Sequence, residues 1–114
     1  MSFGDVPSVP VTEVPVPPYA AAVLLDIRED TEWADGHAPD ALHIPMSDVP
    51  ARRDEIDIDA EVYVVCRSGG RSITVVTYLN ECGFDAVGVT GGMVAWQQAG
   101  RPLVADDDRS AKIY

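Results

Sequence analysis

Short apolar runs alternate with segments of helical period along most of the chain. Residues 22–27 (Ala-Val-Leu-Leu-Asp-Ile), Glu61–Val65 (Glu-Val-Tyr-Val-Val) and 86–89 (Ala-Val-Gly-Val) are compact and mostly apolar, the second of them β-branched and continuous, and residues 41–44 form a shorter run closed by Pro45. Apolar residues at successive rather than alternate positions suit strands covered on both faces. Between these runs, residues 31–34 read as a helical turn capped by Asp30 or Thr31, and Ser47 reads as the cap of a short charged helix reaching Arg53. From Arg71 to Cys82 the apolar positions Ile73, Val76 and Leu79, with Val75, fall at helical spacing, and Gly83 supplies a stop. Gly91 and Gly92 open a last helix that runs through Gln98 and ends before Gly100 and Pro102. Strands alternating with helices predict an α/β domain with a mostly parallel sheet of roughly five strands and helices on both faces.

The two ends differ from this middle. Residues 1–18 hold five of the nine prolines, Pro7, Pro10, Pro15, Pro17 and Pro18, so the segment is expected to be extended, with a short edge strand around residues 9–11. Residues 105–114 begin with Asp106, Asp107 and Asp108 and read as a polar tail that frays. Residues 19–104 are left as a single domain. With 46% hydrophobic and 7% aromatic residues, its core is expected to be Val, Leu, Ile and Ala. The eight basic against nineteen acidic residues give a net charge of −11, which argues against nucleic acid and anionic membranes as partners. It does not argue against a small anion, because charges more than roughly 8 Å away are largely screened. The N-terminus has no basic stretch followed by an apolar run, and no apolar run approaches the ~20 residues of a membrane span. A soluble cytoplasmic protein, monomeric by default, is the expectation. Cys66 and Cys82 make neither a disulfide framework nor a zinc site.

The chemistry concentrates in Cys66-Arg67-Ser68-Gly69-Gly70-Arg71-Ser72, between a buried strand and a helix. Ligands of parallel α/β folds sit beyond the carboxyl ends of the strands, where Cys66 falls. Cys66 is the one strong nucleophile of the loop. Gly69 and Gly70 let the backbone curl so that successive amides face an anion, and the helix that follows points its positive end the same way. Arg67 and Arg71 add full charges, and Ser68 and Ser72 add hydroxyls. Such surroundings favour a thiolate and would hold a small anionic substrate. The loop is expected to be partly exposed.

This loop resembles the active loop of the rhodanese family, and other landmarks agree in order. Leu25-Asp26-Ile27-Arg28 is similar to that family's first strand end. Glu32-Trp33, Gly36-His37-Ala38-Pro39-Asp40-Ala41 and Ile44-Pro45 are similar to its first signature. Gly91-Gly92-Met93-Val94-Ala95-Trp96 and Gly100-Arg101-Pro102-Leu103 are similar to its closing signature. Two positions depart: Asp40 stands where the family has glycine, which aspartate replaces better than most residues in a left-handed turn, and prolines occupy residues 15–18 where the family has its first helix. The resemblance implies a sulfurtransferase working by double displacement, with no metal and no organic cofactor. Cys66 would take sulfur from thiosulfate or a similar small anionic donor as a persulfide, then pass it to a thiol, cyanide or protein acceptor.

Other readings have less support. Cysteine-based phosphatases resemble Cys-x5-Arg, whereas Cys66 and Arg71 are spaced Cys-x4-Arg, a tighter cradle for which no phosphatase activity is expected. His37 and His43 suggest a Cys–His hydrolase, but one lies in a turn and the other in a strand. Asp26 and Arg28 are expected to form a structural ion pair, Cys82 a core thiol at a helix end, and Trp96 a core residue. A sulfur-relay or regulatory binding module acting on a protein partner is the main alternative from another class, with the acidic surface steering a basic partner.

Overall fold

The structure is a computed structural model that describes residues 6–16, 19, 21–106 and 110–114. The apolar runs form a five-stranded sheet: β1 (Ser8–Val9), β2 (Ala22–Asp26), β3 (Leu42–His43), β4 (Glu61–Val65) and β5 (Asp85–Val89), in the order β1-β5-β4-β2-β3. All four pairings are parallel, and β4 lies in the middle, with Leu24 opposite Tyr63, Leu25 opposite Val64 and Val62 opposite Ala86. Helices α1 (Asp30–Asp35), α2 (Val49–Arg52), α3 (Gly70–Glu81) and α4 (Gly92–Gln98) intervene.

Strand side chains alternate between two cores. Leu25, Ile27, Val62 and Val64 pack with Val49 of α2 and with Val75, Val76 and Leu79 of α3. Leu24, Tyr63 and Val65 pack on the opposite face with Met93 and Trp96 of α4. Helices thus cover both faces of a fully parallel sheet, which is why its strands read as continuous apolar runs.

Several local expectations are revised. The cap of α1 is neither Asp30 nor Thr31. Glu29 accepts the amide of Glu32 while the Glu32 side chain accepts the amide of Glu29, a reciprocal capping box. Ser47 caps nothing with its side chain. It lies in a 3-10 turn (Met46–Asp48), and the predicted charged helix is a series of short turns in which α2 follows with Pro50 in its first turn. On α3, Ser72 faces inward and Ile73 is only half-buried. Asp40 does take the left-handed conformation, at φ 63°. At the N-terminus the edge strand stops at Val9, and Val11–Glu13 turn as a 3-10 helix that tucks Val11 and Val14 into the second core. Pro17 and Pro18 lie outside the described residues.

The described end of the tail does not fray. Ile113 is 5% exposed within the second core. The Gln97 side chain serves both its backbone groups, donating to the Ile113 carbonyl at 3.3 Å and accepting its amide at 2.9 Å. The Lys112 amide donates to the Asp35 carbonyl at 2.9 Å, and a side chain at Gly36 would collide with the Lys112 backbone. One apolar residue plus one matched primary amide outweighs the polar composition; Asp107 and Asp108 lie outside the described residues. No described helix is long and apolar enough to cross a membrane.

Candidate active site

Cys66 is the first residue beyond β4 and is 1% exposed, packed in the first core with Val64 and Val76. The expectation of an exposed loop therefore fails at the thiol itself, although Arg67 and Ser68 beside it are exposed. The Cys66 Sγ accepts the amide of Gly69 at 3.0 Å. Gly69 stands at φ 112°, a backbone open to glycine, and Gly70 starts α3 immediately after it. Ser72 Oγ donates to the Gly69 carbonyl at 2.8 Å, so both polar groups of Gly69 are tied down. The thiol therefore sits against an amide at the positive end of a 12-residue helix.

The loop is clamped from the other side by α4. The amides of Met93 and Val94 donate to the carbonyls of Cys66 and Arg67, each at 2.9 Å. This approach requires glycine at residue 92, where a Cβ would collide with the Cys66 carbonyl and φ is +55°. Gly92 of the closing signature thus serves the cysteine loop directly.

The two loop arginines make their hydrogen bonds to residues outside the loop. Arg71 is held by Glu32, its Nη1 and Nη2 donating to the two carboxylate oxygens at 2.8 and 2.9 Å. Arg67 Nε donates to the Tyr114 carbonyl at 2.6 Å. Their charges stay beside the loop while their hydrogen bonds go elsewhere. Glu32 stands in a signature of the sequence, but its ion-pair partner lies 39 residues away, beyond the reach of any local pattern. The hydrogen bond from Arg71 pulls the Glu32 carboxyl from 4.5 down to about 2, against the opposing effect of burial. A depressed carboxyl contributes stability that is present above its unfolded value and lost as pH falls toward its folded one. Glu32→Gln is thus expected to be less stable than the parent at neutral pH and to converge with it between pH 4.5 and about 2. The effect should be modest, since the two side chains remain 28% and 34% exposed. Urea midpoints across that window check this, and a gap that stayed constant would count against it.

The ion pair below is buried as expected. Arg28 and Asp26 have side chains 2% and 0% exposed and meet at 2.7 Å. Arg28 Nη2 also donates to the Gly36 carbonyl at 2.7 Å and Nη1 to the Glu32 carbonyl at 3.4 Å, tying the end of β2 to α1. His37 and His43 flank Trp33 in stacked contacts at 3.6 and 4.6 Å between ring centroids. Their Nδ1 and Nε2 atoms meet the carbonyls of Trp33 and Arg28 at 2.7 and 2.8 Å, which are structural duties. Trp96 is fully buried, with Nε1 donating to the Pro102 carbonyl. Cys82 differs from its expected place in the core. It is half-buried at the far end of α3, where Arg53 donates to its Sγ at 3.1 Å.

A buried thiol at the carboxyl end of a central parallel strand, held on a glycine turn that opens a helix, defines an α/β domain with a cysteine-loop centre. The rhodanese-like domain family matches residues 17–99, and the chain belongs to that family. Over 79 residues it is 48% identical to YtwF of Bacillus subtilis, assigned by name to the sulfurtransferases, with 69% of this chain and 77% of that protein covered. A sulfurtransferase of Allochromatium vinosum is 43% identical over 86 residues, covering 75% of this chain and 80% of that one. Among solved structures, a rhodanese-like domain protein from Staphylococcus aureus aligns over 94% of this chain and 99% of its own, with 32% identity and a TM-score of 0.69. A rhodanese-related protein from Thermoplasma volcanium aligns over 75% and 86%, with 31% identity and a TM-score of 0.72. Sulfur transfer in general is the activity these likenesses support.

Proposed function

We propose that the chain is a rhodanese-type sulfurtransferase in which Cys66 takes the outer sulfur of thiosulfate, or of a similar small anionic donor, and carries it as a persulfide. The Cys66 thiolate attacks the sulfane sulfur, a Cys66–sulfur bond forms, and sulfite leaves with the electron pair of the broken bond. A thiol, cyanide or protein acceptor then removes the sulfur and restores the thiolate. No cofactor enters either step.

The observation that carries this reading is the Gly69 amide on the Cys66 Sγ at the start of α3. An amide fixed at a helix N-terminus stabilises a thiolate and, after transfer, a persulfide anion. Arg67 is exposed and spends its Nε on a backbone carbonyl, a bond that a donor oxyanion can replace. Arg71, held by Glu32, acts as a positioning residue for the loop. The free thiols suit a reducing compartment such as the cytoplasm. The net charge of −11 favours a sulfur-relay variant of the same chemistry, with a basic protein as acceptor.

Intact mass after incubation with thiosulfate tests the proposal. The expected result is a gain of one sulfur that dithiothreitol removes and that Cys66→Ser lacks. Failure to gain sulfur from thiosulfate and from other sulfane donors, in a folded protein, would overturn it.

A further inference from the structure

A cleft of about 240 Å³ opens beside the cysteine loop, at the carboxyl ends of β1 and β5. Val6 and Pro7 form one wall and Ile73 of α3 the other, Gly88 lies in its floor, and Ser68 and Gly69 belong both to the cleft and to the loop. Gly69 is common to the two: its amide meets the Cys66 Sγ at 3.0 Å, and it also lines the cleft. Every residue lining the cleft is uncharged, in a chain of net charge −11. Exposed hydroxyls at Ser8 and Thr90 add neutral polarity at the rim.

The backbone at Gly88 has room for a methyl group without a collision. A Cβ on Gly88 would lie 3.5 Å from Ser72 Oγ and 3.8 Å from the Pro7 carbonyl, ordinary contacts, and Gly88 does not have a positive φ. Glycine inside a strand weakens it and commonly marks a close approach by a ligand or another backbone. Here the backbone tolerates alanine, so the glycine keeps space free.

We propose that this cleft is the acceptor subsite, and that the acceptor it suits is a small thiol with an uncharged, partly apolar body. The proposal rests on the Cys66 persulfide. A carboxylate entering the cleft would lose water without gaining a cation, which burial penalises heavily. A neutral thiol covers Val6, Pro7 and Ile73 and keeps its polar group at the hydroxyl rim. Its thiolate attacks the outer sulfur of the persulfide and forms a new sulfur–sulfur bond. The bond from Cys66 Sγ breaks with its electron pair returning to Cys66, and the acceptor departs as a persulfide.

The test begins with protein loaded by thiosulfate and freed of excess donor. Its discharge is followed by rapid-quench mass measurement with 2-mercaptoethanol and with mercaptoacetate, each normalised to its rate with a free cysteine persulfide. The neutral thiol is expected to win by about tenfold, the discrimination a small pocket supplies. Gly88→Ala should load normally yet discharge to 2-mercaptoethanol about tenfold more slowly, because a methyl group then fills the floor. Ser8→Lys, at an exposed position, should shift preference toward mercaptoacetate. Equal normalised rates in the parent, or Gly88→Ala discharging as the parent does, would overturn the subsite alone. Absence of loading by thiosulfate and by other sulfane donors would remove the persulfide and the subsite together.

Discussion

Cys66→Ala is expected to abolish sulfur transfer and to lower stability by about 1–2 kcal/mol, the range for removing a small buried apolar group. The loss of activity follows from position. Cys82 lies at the far end of α3, bonded to Arg53, and cannot stand in for the thiol at the start of the helix. The loss of stability follows from packing, since Cys66 is 1% exposed in the core shared by β4 and α3. Turnover of thiosulfate with cyanide and a urea titration measure the two effects separately. Turnover above the uncatalysed rate in the alanine variant would remove Cys66 from the mechanism. An unchanged urea midpoint would show that its packing is immaterial.

The second large effect is expected at Arg28. Arg28→Met should destabilise the domain by about 3–5 kcal/mol, because it leaves the Asp26 carboxylate buried without its partner. Domains of this kind have net stabilities of about 5–15 kcal/mol, so the loss would be a large fraction of the total. Adding Asp26→Leu should recover most of the loss, since an apolar pair needs no compensation. Denaturant unfolding of the two variants checks both expectations. A loss below about 1 kcal/mol in the single variant would mean that water or rearrangement relieves Asp26. The same substitution should also weaken the cysteine loop at a distance. Arg28 holds the carbonyls at Glu32 and Gly36, and Glu32 holds Arg71.

What the sequence revealed and what it hid divide along contiguity. The limits of β4 were readable because five residues in a row carry the signal, and the cysteine loop because its chemistry lies within seven consecutive positions. Asp40 was readable because few side chains other than glycine tolerate its conformation. Contacts between distant segments were not. Nothing local shows that Arg71 turns to Glu32, or that Gly92 is required by a carbonyl 26 positions earlier. Burial of Cys66 was hidden because loops are ordinarily at the surface, whereas this one is folded under the first turn of α4. The docking of Ile113 was hidden because a single apolar residue in a polar stretch has no period to detect, and its Gln97 partner lies on a separate helix.

The pairing of β1 with β5 sets an order of assembly. Ser8 aligns with Gly88 and Val9 with Val89, so the first described strand can be placed only after the last one exists. Bringing such distant segments together has an entropic cost that local helices and the β2–β4 pair do not share to the same degree. During synthesis the wall made by Val6 and Pro7 is therefore completed after the cysteine loop has its supporting strand. With only two residues in the ladder, as at the β3 edge opposite, that edge is also inexpensive to reopen compared with the centre of the sheet. The thiol is framed early by the centre of the sheet, while the neutral cleft beside it is finished late and held lightly.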